Sequence, residues 1–202
     1  MQPLWAKTVK TDIVLVVLKV WWKTALNKTK QLIQKEKDNP IWQQLLHELA
    51  SMYEGKLKIV FPSEWNSECF SLFHSVEKAG FRRELHYSFE ELLKNLESPE
   101  LVFWFITEDN EPKIVVLGYS MLDDQKSFYL DTFAVKQRGK GIGNVVMQFL
   151  VQWAKTKHYT SIVLDTEQKD EKGIPLQQFY TKLGFETVSI AKKGDLIMKR
   201  KL

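Results

Sequence analysis

Hydrophobic positions along this chain change their period several times, and each change predicts a different element. Residues 12–35 read as a helix with a very apolar first half, a strand over Ile13–Val20 being the alternative, and KEKDNP (Lys35 to Pro40) ends it. Ile41, Leu45, Leu49 and Met52 then fall on one stripe of a second helix, Ile41 to Glu54. From Leu57 the pattern turns to short β-rich runs. LKIVF stops at Pro62, and helical patterns follow over Glu64–Lys78 and Ser88–Glu97, the latter opened by a capping signature, Ser88 with Glu91 three residues on. Leu101–Asp109, Lys113–Leu122 and Ser127–Val135 are rich in β-branched and aromatic residues, and the DNEP and DDQK between them are turn chemistry. These three strands are expected to pair antiparallel.

After Val135 the period is helical again. Ile142, Val145, Val146, Phe149, Leu150, Trp153 and Ala154 make one buried face, and Ser161–Glu167 is a nearly continuous apolar strand. Strand, helix and strand in that order form a right-handed crossover, which makes strands 127–135 and 161–167 parallel neighbours. A helix over Ile174–Lys182 and a last strand, DLIMKRKL, close the pattern. The result is a mixed α/β chain of the α+β type: a mostly antiparallel sheet flanked by helices, residues 56–202, preceded by an N-terminal helical extension, residues 1–55.

Composition narrows the classes. With 202 residues and 44% hydrophobic content the chain can bury a sizeable core. Cys69 is the single cysteine, which excludes an internal disulfide and a cysteine-based zinc cluster, so no metal is expected and a reducing, cytoplasmic setting is. The run Ile13–Trp22 is broken by Lys19 and is too short to span a bilayer. The net charge of +4 is uneven: residues 1–55 hold eight lysines against five acids, and the rest holds 21 bases against 20 acids. A nucleic-acid binder would show a basic stripe with stacking aromatics in its main fold, and none is visible, so no nucleic-acid partner is expected. For the extension, the stripe carrying Trp21, Trp22 and Trp42 is read as docking on the body or on a second copy of the chain; contact with a membrane surface is the disfavoured alternative.

The chemistry concentrates in RGKGIG, Arg138 to Gly143, at the junction of a strand and a helix. Backbone N–H groups there lack intrahelical partners, and the helix dipole favours an anion. Gly139, Gly141 and Gly143 remove side chains that would hold a ligand off, while Arg138 and Lys140 add positive charge. Such a loop suits a phosphate. A Walker loop would need Lys followed by Ser or Thr after the last glycine, and Gly143 is followed by Asn144 and Val145. A dinucleotide fingerprint would need a third glycine further on and a wholly parallel sheet.

Arg138-Gly139-Lys140-Gly141-Ile142-Gly143 resembles the R/Q-x-x-G-x-G/A signature of the GNAT superfamily of N-acetyltransferases, whose turn holds the pyrophosphate of acetyl-coenzyme A. PLQQFYTKLGFETV is similar to the family's later segment through Tyr180, Lys182, Gly184 and Phe185. The resemblance covers roughly residues 56–202. It implies that the two parallel central strands splay apart, that the pantetheine arm bonds to the backbone of Phe133, Ala134 and Val135, and that residues Arg138 to Asn144 hold the phosphates. It also implies acetyl-coenzyme A as cosubstrate and transfer of the acetyl group to a primary amine by direct attack on the thioester. Tyr180 becomes the candidate acid for the leaving thiolate and a cofactor contact.

For a base the residues leave alternatives open. Asp131, Asp165 and Glu167 are acids inside otherwise apolar strands, where an uncompensated charge is costly. Asp131 or Glu167 would accept the amine's proton through a water. Strict alternation puts Asp131 on one face with Phe133 and Val135. His158 reads as a helix C-terminal cap, and His74 and His86 have no evident tie to the chemistry. Gly173 stands where family members often have an asparagine, seven residues before the tyrosine, which weakens one cofactor contact. Arg82 and Arg83 read as exposed or as contacts to a substrate carboxylate. The acceptor is a small-molecule or peptide amine. The competing classes are a non-catalytic acyl-coenzyme A module and an enzyme acetylating a protein or aminoacyl-tRNA.

Overall fold

A computed structural model describes residues 36–62, 66–96, 101–121, 126–170, 173–191 and 194–202. The helix expected over 12–35, with Trp21 and Trp22, lies outside them. The chain divides into two compact units, Met1–Asn39 and Pro40–Leu202, and the elements below belong to the second.

The second unit is built on one sheet of seven strands: β1 Leu57–Val60, β2 Val102–Glu108, β3 Glu111–Ser120, β4 Ser127–Val135, β5 Ser161–Thr166, β6 Glu186–Ile190 and β7 Leu196–Lys201. Their order is β1-β2-β3-β4-β5-β7-β6, antiparallel throughout except between β4 and β5. The β2–β3 hairpin turns through Asp109 and Asn110, both with positive φ, as a tight two-residue turn requires. Its sequence signal was the DN pair.

Among the described residues five α-helices flank the sheet: α1 Pro40–Leu49, α2 Ser67–Gly80, α3 Phe89–Leu96, α4 Ile142–Thr156 and α5 Leu176–Lys182. Ser88 and Glu91 close the expected capping box: the Ser88 amide and hydroxyl donate to Glu91 Oε2 at 2.9 and 2.7 Å, and the Glu91 amide donates back to Ser88 Oγ at 3.2 Å. Those bonds hold the Glu91 carboxyl below its ordinary range. On one face of the sheet, Phe73 and Val76 of α2 and Leu92 of α3 bury against Phe103, Phe105, Val115, Leu117 and Ala134. On the other, α1 and α4 meet the sheet through Trp42, Trp104, Trp153 and Phe128, all essentially without exposed surface. Residues 40–54, grouped by sequence with the extension, thus share the core of the body.

Two features differ from the expectation. The expected pattern passes from a helix ending at Lys182 to a single last strand, DLIMKRKL, and β6 is an additional edge strand beside β7, every residue of it exposed, Val188 and Ile190 included. More consequential is a β-bulge: Leu117 pairs with Thr132 and Gly118 with Leu130, leaving Asp131 as the extra residue of β4. Strict alternation fails there. Asp131 reaches Tyr87 on the α2–α3 side, whereas a Cβ built on Gly143 of α4 would lie 3.8 Å from the ring of Phe133. The two do not share a face.

Candidate active site

β4 and β5 are parallel partners only over Ser127↔Ser161, Phe128↔Ile162 and Tyr129↔Val163. β4 then runs on to Val135 and β5 to Thr166 outside that ladder, so the strands part and the backbone of Leu130 to Val135 on the β5 side is outside the sheet's pairing. This is the gap that the sequence reading places at Phe133, Ala134 and Val135.

The chain leaves β4 through the glycine loop and enters α4. Gly139 (φ 83°) and Gly141 (φ 78°) are left-handed, and a Cβ on either would meet nothing within 4 Å. Backbone conformation, not crowding, requires glycine there. Gly141 is the N-cap and no side chain caps the helix; its carbonyl accepts from Asn144 and Val145 at 3.0 and 3.2 Å, which starts the helix and leaves the first-turn amides of Ile142 and Gly143 at the loop. Gly143 serves a different purpose: a Cβ there would stand 3.3 Å from the ring of Phe179, so its absence lets α5 approach α4.

Lys140 is exposed in this loop, whereas Arg138 is already engaged. Its guanidinium bonds Asp170 Oδ2 and, at 2.5 Å, the Gly80 carbonyl at the end of α2. Asp170 is nearly buried and also accepts from the Ile174 amide at 2.8 Å, so it fixes the loop before α5 as well as the loop before α4. Sequence gave no local signal for it: its partner stands 32 positions earlier. Gly173 sits in that loop with φ 76° and open space about it.

Tyr180 is carried by α5, its ring 5.0 Å from Phe179 and 5.7 Å from Phe185, both roughly edge-on. Burial pushes its hydroxyl above the ordinary tyrosine range.

From the α2–α3 side come the acids. Asp131 accepts from the Tyr87 hydroxyl at 2.9 Å (Oδ1) and 3.0 Å (Oδ2), and from Thr132 Oγ1 at 2.9 Å. Burial raises its pKa; the bonds from Tyr87 and Thr132 oppose that, and the charge of Asp165 adds to it. Partial burial, then Asp195, raise Asp165, with a bond from Tyr129 opposing. Tyr119 and Tyr129 stack beside them with rings 5.1 Å apart, and burial and the two aspartates push both phenols up. Glu167 is bonded by Arg82 across from the α2–α3 loop, so Arg82 is exposed and paired at once.

The histidines sort out differently. His74 Nδ1 meets Glu77 Oε2 at 3.0 Å, and His86 Nε2 meets the Phe81 carbonyl at 2.9 Å. His158 ends α4 through its backbone, in a left-handed conformation with its amide bonded to the Lys155 carbonyl at 3.0 Å.

A glycine loop opening a helix beside two parting strands, with a half-buried tyrosine on the next helix, defines the class. A model of the "Acetyltransferase (GNAT) family" matches residues 61–185, and the chain belongs to that family, whose acyl donor is acetyl-coenzyme A. Over 131 residues it is 24% identical to "Uncharacterized N-acetyltransferase YobR" of Bacillus subtilis (strain 168), an alignment covering 64% of this chain and 51% of that protein. The chain thus spans about half the length of that relative. Its fold is similar to the PaiA N-acetyltransferase of Thermoplasma acidophilum in complex with coenzyme A (TM-score 0.56, 17% identity, 73% of this chain and 99% of that one). It is similar also to the ribosomal-protein-S18-alanine N-acetyltransferase of Escherichia coli (TM-score 0.55, 13% identity, 72% and 94%). Among the described residues no helix is long and apolar enough to cross a membrane.

Proposed function

We propose that this chain transfers the acetyl group of acetyl-coenzyme A to a primary amine by direct attack on the thioester. The observation that supports this reading is the parting of β4 and β5 beside the glycine loop, which opens a slot bordered by strand backbone on one side and helix-end amides on the other. The residues suit the donor. First-turn amides of α4 and the exposed Lys140 complement a pyrophosphate, and Leu130 to Val135 offer strand backbone to an amide-bearing arm. Arg138 supports this loop through Asp170 and Gly80. Bound acetyl-coenzyme A supplies the activated acyl group.

The remaining chemistry falls to side chains. Tyr180, a proton donor throughout the neutral range, is in this reading the acid for the departing thiolate, whose ordinary pKa is about 8.5. Asp131, on β4 beyond its ladder with β5, accepts the amine's proton through a water and attracts the incoming ammonium beforehand. Glu167 is the weaker candidate, because Arg82 already occupies it.

The test is thiol release from acetyl-coenzyme A with a panel of diamines, amino sugars and peptides with free N-termini, beside calorimetric titration with coenzyme A. Gly141→Asp sets a carboxylate at the loop and a Cβ at a left-handed position; about 2 kcal/mol of lost binding, or roughly 30-fold in Kd, is expected. A wild-type chain that binds coenzyme A and releases no thiol with any amine would overturn acetyl transfer in favour of a non-catalytic module. Equal affinity in the variant would remove the loop from the donor site.

A further inference from the structure

The loop between α2 and α3, residues 81–88, touches both parting strands. Arg82 bonds Glu167, the residue after β5, and Tyr87 bonds both oxygens of Asp131 on β4, at 2.9 and 3.0 Å. At its base lies a group that neither sequence nor family explains. Glu77 of α2 is 1% exposed, and its two oxygens are both used: Oε1 accepts from the Tyr87 amide at 3.0 Å and Oε2 meets His74 Nδ1 at 3.0 Å. Burying a carboxylate costs free energy that an apolar side chain would avoid. What that carboxylate accomplishes is local: it fixes the backbone of Tyr87, and with it the direction of a phenol whose hydroxyl ends on Asp131.

We propose that Tyr87, anchored by Glu77, is a positioning residue for Asp131, holding that carboxylate oriented and ionised at the mouth of the gap. The inference rests on the reading of Asp131 as the group that takes the amine's proton. Five groups face Asp131: Tyr87 from the α2–α3 loop, Thr132 beside it, Tyr119 of β3, Tyr129 of β4 and Asp165 of β5. Of these, Tyr87 and Thr132 donate to the charged form, while Asp165 and burial oppose it. A hydrogen bond to the charged form lowers a pKa, so loss of the Tyr87 hydroxyl raises the pKa of Asp131.

The experiment is a carbon-13 carboxyl titration of the full chain labelled at aspartate, the Asp131 signal being assigned by its loss in Asp131→Asn. Tyr87→Phe should move the Asp131 midpoint to higher pH. Glu77→Leu, which strands the Tyr87 amide, should move it the same way, and Glu77→Gln, which keeps an acceptor oxygen for that amide, should restore it towards wild type. An unchanged midpoint in Tyr87→Phe overturns the proposal, and that variant alone decides if a Glu77 variant fails to fold. Gln and Leu behaving alike would overturn the anchoring by Glu77. No turnover enters this measurement. A midpoint that moves while Asp131→Asn keeps full thiol release would leave the positioning intact and sink only the catalytic reading of Asp131.

Discussion

Tyr180→Phe is expected to lower kcat by about 100-fold or more with the affinity for coenzyme A unchanged, the usual scale for loss of a positioned general acid. The substitution removes only a hydroxyl. The phenyl ring keeps its edge contacts with Phe179 and Phe185, so α5 and the Gly143–Phe179 approach that seats it against α4 stay as they are. The loss therefore belongs to the chemical step and appears in single-turnover thiol release, not in a binding titration. The pH profile gives a second, independent sign. Burial raises the Tyr180 pKa, so the acid form persists past the ordinary tyrosine value of about 10, and any alkaline decline of wild-type kcat caused by this group must lie beyond it. Wild-type kcat retained in the Phe variant would return Tyr180 to the role of a packing tyrosine. A fall in coenzyme A affinity without a fall in kcat would make it a wall of the donor site.

Much of this architecture could be read in one dimension because it is locally encoded. The meander is announced by β-branched runs and turn residues, α4 by its apolar stripe, α3 by Ser88 and Glu91, and the loop by glycines that the backbone requires at 139 and 141. What escaped depends on residues distant in sequence. The face of Asp131 follows from a bulge, and a bulge depends on which residue of β3 pairs with which of β4. The pairing of Arg138 with Asp170, like those of Arg82 with Glu167 and Tyr87 with Asp131, joins segments that only the sheet brings together. β6 escaped for another reason: it is five residues long and wholly exposed, so the short alternation of Val188 and Ile190 marks no buried face.

Trp42 carries the largest stability effect to be expected outside the site. Its indole is fully buried, 5.2 Å from that of Trp104, 6.0 Å from Trp153 and 6.2 Å from the ring of Phe61, so it joins α1 to β2, α4 and the segment after β1. Trp42→Ala leaves a cavity that three aromatic neighbours cannot close, and a loss of about 3–5 kcal/mol is expected. For a chain of this size that is a fall in Tm of roughly 10 °C or more by calorimetry. Trp42→Phe should cost much less. It keeps a ring in the cluster and removes an indole N–H that has no hydrogen-bond partner among the described residues. The consequence reaches function because α1 packs on α4, the helix whose first turn faces the glycine loop. Coenzyme A at about 100 times its Kd would restore about 2.7 kcal/mol to any variant that still binds it, so the Ala variant should regain most of its Tm when saturated. A Trp42→Ala melt within a degree or two of wild type would mean that α1 is not seated in the core, and that the body of the fold begins at β1.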